Sequence, residues 1–273
     1  AGLISNEGYI GSTNATPLGF YTNNVNRIYI NTSGNVGIGT TAPTEKLSIV
    51  GKINLNDGGN SVFIGTGAGL NDDASDNQNI GIGYQALFSN TTGSNNVANG
   101  SEALRKNTAG GFNTANGSQT LYYNTTGFHN TANGFQALLL NTTGWFNTAN
   151  GSQTLRANTT GANNTANGYA ALRSNTTGDN NTANGHQALY SNTTGTQNTA
   201  IGRDAGRYIA DKTTAATIVN SSVLLGYNTS PLADNQTNQI VIGYDANGIG
   251  SNTVVLGNDS IVTTALKGNV GIG

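Results

Sequence analysis

Residues 113–129 read NTANGSQTLYYNTTGFH and residues 130–146 read NTANGFQALLLNTTGWF. The pentad NTANG opens at Asn113, Asn130, Asn147, Asn164 and Asn181, always 17 residues apart, and the variants NIGIG at Asn79, NVANG at Asn96 and NTAIG at Asn198 keep the same step. Asn79 and Asn198 are seven times 17 apart, so the array runs through seven units without an insertion. Counting the first Asn as position 1, Leu recurs at position 9 (Leu87, Leu104, Leu121, Leu138, Leu155, Leu172, Leu189). A turn of NTTG type begins at position 12 (Asn90, Asn107, Asn124, Asn141, Asn158, Asn175, Asn192). A constant period of this kind marks a stacked repeat architecture.

Two units span 34 residues, the period of a helical tetratricopeptide array. Gly at positions 5 and 15, however, leaves no run of the ~12 residues that even a marginal helix needs. Short strands separated by turns fit instead. The expectation is an all-β chain, a parallel β-solenoid (β-roll) of 17-residue coils, in which identical residues come into register about every 4.8 Å. Pro17, Pro43 and Pro231 all fall outside the array, as expected where each coil donates N–H groups to the next.

Composition limits what can hold such a stack together. Of 273 residues, 39 are Gly, 35% are hydrophobic and 9% are charged, against roughly 25% charged in an ordinary domain. Each coil offers Leu at position 9, Ala or Thr at 8 and Ala or Gly at 3. That core is thin enough for association of several chains to be expected to complete it. Asn at position 4 (Asn99, Asn116, Asn133, Asn150, Asn167, Asn184), replaced by Ile82 and Ile201 in the terminal units, predicts an enclosed column of amides bonded from coil to coil. Thr at position 2, replaced by Ile80 and Val97, predicts a buried β-branched column.

Around the array the pattern loosens. The expected organisation is an N-terminal strand module over 1–60, the solenoid over 61–206, and irregular coils over 207–273 built on Val223–Gly226, Ile240–Gly243 and Val254–Gly257. A long connection runs from Arg207 to Ser222. Asn26–Ile30 and Lys46–Val50 read as strands, joined by the turn-rich GNVGIGTTAPTEK. GNVGIG stands at Gly34 and again at Gly268, the spacing expected of one module in a longer tandem protein. The absence of Met, even at residue 1, is expected of a processed or excised piece.

Asn198–Ala205, NTAIGRDA, resembles the coil motif of trimeric autotransporter adhesin heads. PLGFYTN from Pro17, GNVGIGTTAPTEKLSIVGKI over 34–53 and NQIVIGYDANGIGSNTVVLGNDSIVTTALKGNVGIG over 238–273 resemble bacteriophage tail fibres and related bacterial fibre proteins. The resemblance implies intertwined trimers of β-rolls in an extracellular appendage, on a virion or a bacterial cell surface, that mediates attachment. This chain departs from the adhesin heads in its longer coil, and no self-cleaving chaperone domain or membrane anchor is recognisable in it.

The charge balance, 11 Lys and Arg against 13 Asp and Glu, offers no clustered cations for nucleic acid. No stretch approaches the roughly 18 apolar residues of a membrane span, so no membrane insertion is expected. Between Asn79 and Ala200 the only acids are Glu102 and Asp179, and the only Lys and Arg are Arg105, Lys106, Arg156 and Arg173, too few for a converging catalytic set. His129 and His186 fall at positions 17 and 6, out of register for sharing a metal. Asp72, Asp73 and Asp76 lack the ligand spacing of a calcium loop, and Gly65, Gly67 and Gly69 are followed by no helix and no phosphate-loop Lys. The N-x-[ST] triplets at Asn90, Asn124, Asn141, Asn158, Asn175 and Asn192 arise from the turn itself, where the amides are expected to bond the backbone. No catalytic residue, metal or cofactor is expected.

The variable positions 6, 10, 11, 16 and 17 carry the aromatic residues. Rings beside Asn and Thr are what sugar-binding surfaces use. Phe112, Tyr122, Tyr123, Phe128, Phe135, Trp145 and Phe146, with His129 among them, are therefore the candidate patch for a cell-surface glycan or other receptor. The competing reading has these rings sealing seams between chains. The expected function is a non-enzymatic structural or adhesive segment of an extracellular fibre. The alternatives are an ice-binding solenoid, using the Thr columns at positions 2 and 13, and a fibre-borne glycan hydrolase, which needs two carboxylates about 5–9.5 Å apart.

Overall fold

The computed structural model describes residues 16–49, 60–73 and 77–263. The second GNVGIG, Asp76, Val50 and the first residues of the N-terminal module lie outside them. The chain divides into two units, residues 1–55 and 56–273.

In the first unit, β1 (Leu18–Thr22) and β2 (Val25–Ile30) form an antiparallel hairpin. Its turn residues Asn23 and Asn24 have φ of 50° and 60°, the left-handed pair that a two-residue hairpin turn demands and that Asn tolerates. β3 (Val36–Ile38) lies antiparallel to β2, and β4 (Leu47–Ile49) lies parallel to β3. The expected strands at Asn26–Ile30 and Lys46–Val50 correspond to β2 and β4. The GNVGIG link is not all turn: its β-branched Val36 and Ile38 flank Gly37 and take up the free edge of β2, a tertiary pairing that outweighs the glycine content.

The second unit is one parallel sheet of twelve strands in sequence order. It starts at β5 (Val62–Ile64) and continues through β6 to β13, the three-residue strands that open at Ile80, Val97, Thr114, Thr131, Thr148, Thr165, Thr182 and Thr199. It ends with β14 (Val223–Leu225), β15 (Gln239–Ile242) and β16 (Thr253–Leu256). Within the array each strand residue pairs with the one 17 later, Ala149 with Ala166 for example. Thr199 pairs with Val223, 24 residues on, because the long connection intervenes, and Ile240 pairs with Val254, 14 on. This is the parallel β-solenoid that the period predicts, and no helix occurs among the described residues. The long connection is pinned by Lys212, whose Nζ lies 3.0 Å from Ser230 Oγ and 3.3 Å from Asp245 Oδ1. Burial pulls its pKa below the lysine range, and Asp245 opposes that pull.

Each coil turns its corners through left-handed backbone. Gly134, at position 5, has φ +125°, and a Cβ there would lie 2.7 Å from the carbonyl oxygen of Gly151 in the next coil. Leu121 and Leu138, at position 9, also sit at φ 52° and 51°, a conformation that costs roughly 1–2 kcal/mol. Complete burial of both side chains offsets it by about 1.5–3 kcal/mol each. Positions 3, 8 and 9 form the core as expected: Ala115, Ala132, Ala137, Leu121 and Leu138 are wholly buried. Larger residues at position 3, Phe63 and Val255, pack against the two ends. Position 3 is Gly81 beneath Phe63 because a Cβ would come 2.8 Å from the ring.

Two expectations are corrected. The enclosed amides stand at positions 1 and 12, where Asn113, Asn130, Asn147, Asn124 and Asn141 are wholly buried. Position 4 forms a ladder too, with Asn133 Nδ2 donating to Asn150 Oδ1 at 2.7 Å, but it lies on the outward face and is only partly buried. Position 2 likewise faces outward, with Ile80 at 40% exposure. The reason is strand alternation: Ala at position 3 points inward, so its neighbours must point out. Within the single chain the Leu column is wholly buried.

Candidate functional site

The edge after the NTTG turn carries positions 16 and 17. At position 17, Phe112, His129 and Phe146 have φ of 57°, 54° and 54°, and Asn95, Asn163 and Asn180 take the same conformation in other coils. The 17-residue register then stacks their rings. Phe112 lies 4.9 Å from His129 at 12°, and His129 lies 4.9 Å from Phe146 at 15°. At position 16, Phe128 and Trp145 stack at 5.9 Å and 4°. The two columns meet edge to face, with Phe146 5.8 Å from Phe128 and 5.4 Å from Trp145. The four Phe and Trp rings remain 39–55% exposed, so this is a rigid platform of five rings open to solvent.

The remaining candidates lie elsewhere on the coil. Tyr122 and Tyr123, at positions 10 and 11, line a shallow recess of about 230 Å³ with Glu102, Gln119 and Leu139. Phe135 stands at position 6, 48% exposed. Position 6 also holds a column that reading the perfect repeats alone missed. There Tyr169 stacks on His186 at 5.3 Å, Arg203 lies 5.8 Å from the Tyr227 ring, and Tyr227 stacks on Tyr244 at 5.2 Å. The signal was present, since Gly226 and Gly243 mark position 5 of their coils and the tyrosines follow directly.

The charged side chains are tied into ladders. Arg156 Nε donates to Gln136 Oε1 at 3.1 Å, Gln136 Nε2 to Gln119 Oε1 at 2.8 Å, and Gln119 Nε2 to Glu102 Oε2 at 2.9 Å. Asp72 and Asp73 accept from Asn77 Nδ2 at 2.7 and 3.0 Å, and Asp72 accepts from Asn90 Nδ2 at 3.4 Å. These carboxylates thus stand at the first end of the position 12 amides. The turn amides bond as expected: Asn124 Nδ2 donates to Gly127 O at 2.9 Å and to Asn107 Oδ1 at 2.8 Å, shut away from solvent. Among the described residues no group of three or more His, Asp or Glu is placed to hold a metal, and no helix is long and apolar enough to cross a membrane. No protein-family model, curated protein or solved structure matches the chain.

Proposed function

We propose that this chain is a non-enzymatic adhesive segment of an extracellular fibre or surface appendage, like the phage tail fibres and adhesin heads its motifs resemble. On this reading the ring platform receives a cell-surface glycan or comparable receptor. One observation carries it: Phe112, His129 and Phe146 occupy left-handed positions that Asn fills in neighbouring coils. A bulky residue there is conformationally costly, and rings left 48–55% exposed regain little of that cost by burial. A bound partner supplies the missing contact. Within the repeat array the non-enzymatic part is supported by the spacing of the acids. Glu102 and Asp204 share position 7 six coils apart, about 29 Å, and Asp179, at position 16, accepts from the Ala162 N–H at 2.6 Å.

The homotrimer belongs to the same proposal, through the outward face of the sheet. That face is Thr and Asn in its middle and aliphatic at both ends, with Ile80 and Ile82 at one end and Ile201, Val254 and Leu256 at the other, 39–60% exposed. Parallel copies in register would bring like residues together. The test of the adhesive reading is replacement of Phe128, Trp145 and Phe146 by Ser. Glycan-array or cell binding should disappear while the sedimentation coefficient stays unchanged. Dissociation of the oligomer would instead make the rings seam packing.

The same face favours a second reading. Thr165 is exposed and the other position 2 threonines are partly so, so an ordered hydroxyl row faces out. A thermal-hysteresis measurement separates ice binding from adhesion.

A further inference from the structure

All six cationic side chains of residues 79–207, Arg105, Lys106, Arg156, Arg173, Arg203 and Arg207, fall at positions 6, 10 and 11. Only Glu102 and Asp204 share that edge, since Asp179 lies at position 16. Six cations less two acids leave +4 on one edge of a chain whose formal charge is −2. Along the sequence these cations are scattered over a hundred residues. The 17-residue register gathers them.

Position 10 runs Phe88, Arg105, Tyr122, Leu139, Arg156, Arg173, Tyr190, Arg207 from coil to coil. The guanidinium groups interleave with rings: Arg105 lies 5.3 Å from Phe88 and 5.6 Å from Tyr122, while Arg173 and Arg207 lie 5.6 and 5.4 Å from Tyr190. Amides at position 7 of the preceding coil hold the heads in place, Gln85 for Arg105 at 2.7 Å, Gln136 for Arg156 at 3.1 Å and Gln153 for Arg173 at 3.0 Å. Neutralisation is uneven. Glu102 lies 3.7 Å from Arg105, and Asp204 lies 2.9 Å from Arg207 and 3.2 Å from Arg203. Among the described residues no carboxylate reaches Arg156 or Arg173. Arg156 spends only Nε, and Arg173 spends Nε and, toward Tyr190 Oη at 3.1 Å, Nη1.

We infer that this edge, centred on Arg156 and Arg173, binds an anionic polysaccharide. The two guanidinium groups sit on adjacent coils, about 4.8 Å apart. The Nη pair of Arg156 is the planar fork that matches carboxylate or sulfate oxygens, and Arg173 adds its Nη2 donors beside it. Because Gln and Tyr already fix the heads, little side-chain freedom is lost on binding. Single-stranded nucleic acid fits less well, since it needs open ring faces for its bases, and here guanidinium groups cover them. This surface is separate from the ring platform and does not depend on the adhesive reading of it.

The test immobilises the full chain and measures binding of dextran sulfate, polygalacturonate, neutral dextran and a single-stranded oligothymidylate. Binding of a charged polysaccharide without neutral dextran is expected, weakening steadily as salt rises; which of the two binds assigns the anion as sulfate or carboxylate. R156Q/R173Q should lower that affinity about tenfold or more with the circular dichroism melt unchanged. Failure to bind either charged polysaccharide, salt-independent binding, tighter binding of the oligonucleotide, or full affinity in a folded double variant would each overturn the inference. The salt series uses the unsubstituted chain and so decides the matter even if the variant unfolds.

Discussion

The backbone N–H of Asn147 donates to Asn130 Oδ1 at 3.0 Å, and Asn147 Nδ2 reaches the same oxygen at 3.2 Å while also donating to Gly161 O at 2.8 Å. One amide thus clips two coils and one turn together. The arrangement repeats from Asn79 to Asn198 with every member buried. Stability in so apolar-poor a chain rests on these satisfied polar groups, because a buried donor or acceptor left unpaired costs about 1–3 kcal/mol.

Asn147→Ala leaves the buried Asn164 N–H without its acceptor, while Asn130 Oδ1 keeps the backbone N–H of residue 147 and Gly161 O keeps Asn158 Nδ2. A loss of about 1–3 kcal/mol is expected in denaturant unfolding. Asn150→Ala, on the outward ladder, should cost less than about 1 kcal/mol because water replaces the lost bond. Equal losses would contradict the inward and outward assignment of the two columns.

Replacing Phe112, His129 and Phe146 together by Asn restores the residue that neighbouring coils place at φ 56–58°. The melting temperature should hold or rise, since Asn is favoured in the left-handed region, while receptor binding is lost. A clear fall in melting temperature would show that the rings stabilise the fold.

Gly134→Ala forces a Cβ to 2.7 Å from Gly151 O at a φ of +125°. The backbone region is essentially closed to L side chains, so destabilisation of about 3 kcal/mol or more is expected, read as a lower chemical midpoint. Tolerance of Ala would mean that the coil turns differently at position 5.

Ile82→Asp with Ile201→Asp places a charge at each end of the outward face, where the native side chains are 39% and 44% exposed. Sedimentation velocity should show a trimer becoming monomer with the circular dichroism spectrum retained. A trimer that survives would remove this face as the interface.

Asp211 is held at about 2, against an ordinary 3.8, by the Thr214 hydroxyl, then by the N–H groups of Thr214 and Thr213. Because the folded value is the lower, the contribution to stability is complete above pH 3.8 and fades as pH falls toward 2. Carboxyl NMR should place its midpoint near 2 and, in Thr214→Ala, closer to 3.8. An unmoved midpoint would deny the hydroxyl its part.

The coil was legible in the sequence because a period of 17 carries its own register: Asn113, Asn130 and Asn147 can all recur only if they stack. Inward and outward were harder to read. Ala at position 3 is too small to announce a core, and Asn at position 4 looks the same as Asn at positions 1 and 12 until alternation along the strand sends it outward. The candidate rings divide for the same reason. Phe112, Phe128, Trp145 and Phe146 share an edge, whereas Tyr122, Tyr123 and Phe135 lie on other corners, because neighbours in the chain separate at each left-handed turn while residues 17 apart meet. Sequence alone therefore determined the solenoid and its register, which are local and periodic. Which amides are buried, which rings form one platform and how the cations gather on one edge were decided by the tertiary closure of the coil, where backbone corners rather than residue types set the direction of each side chain.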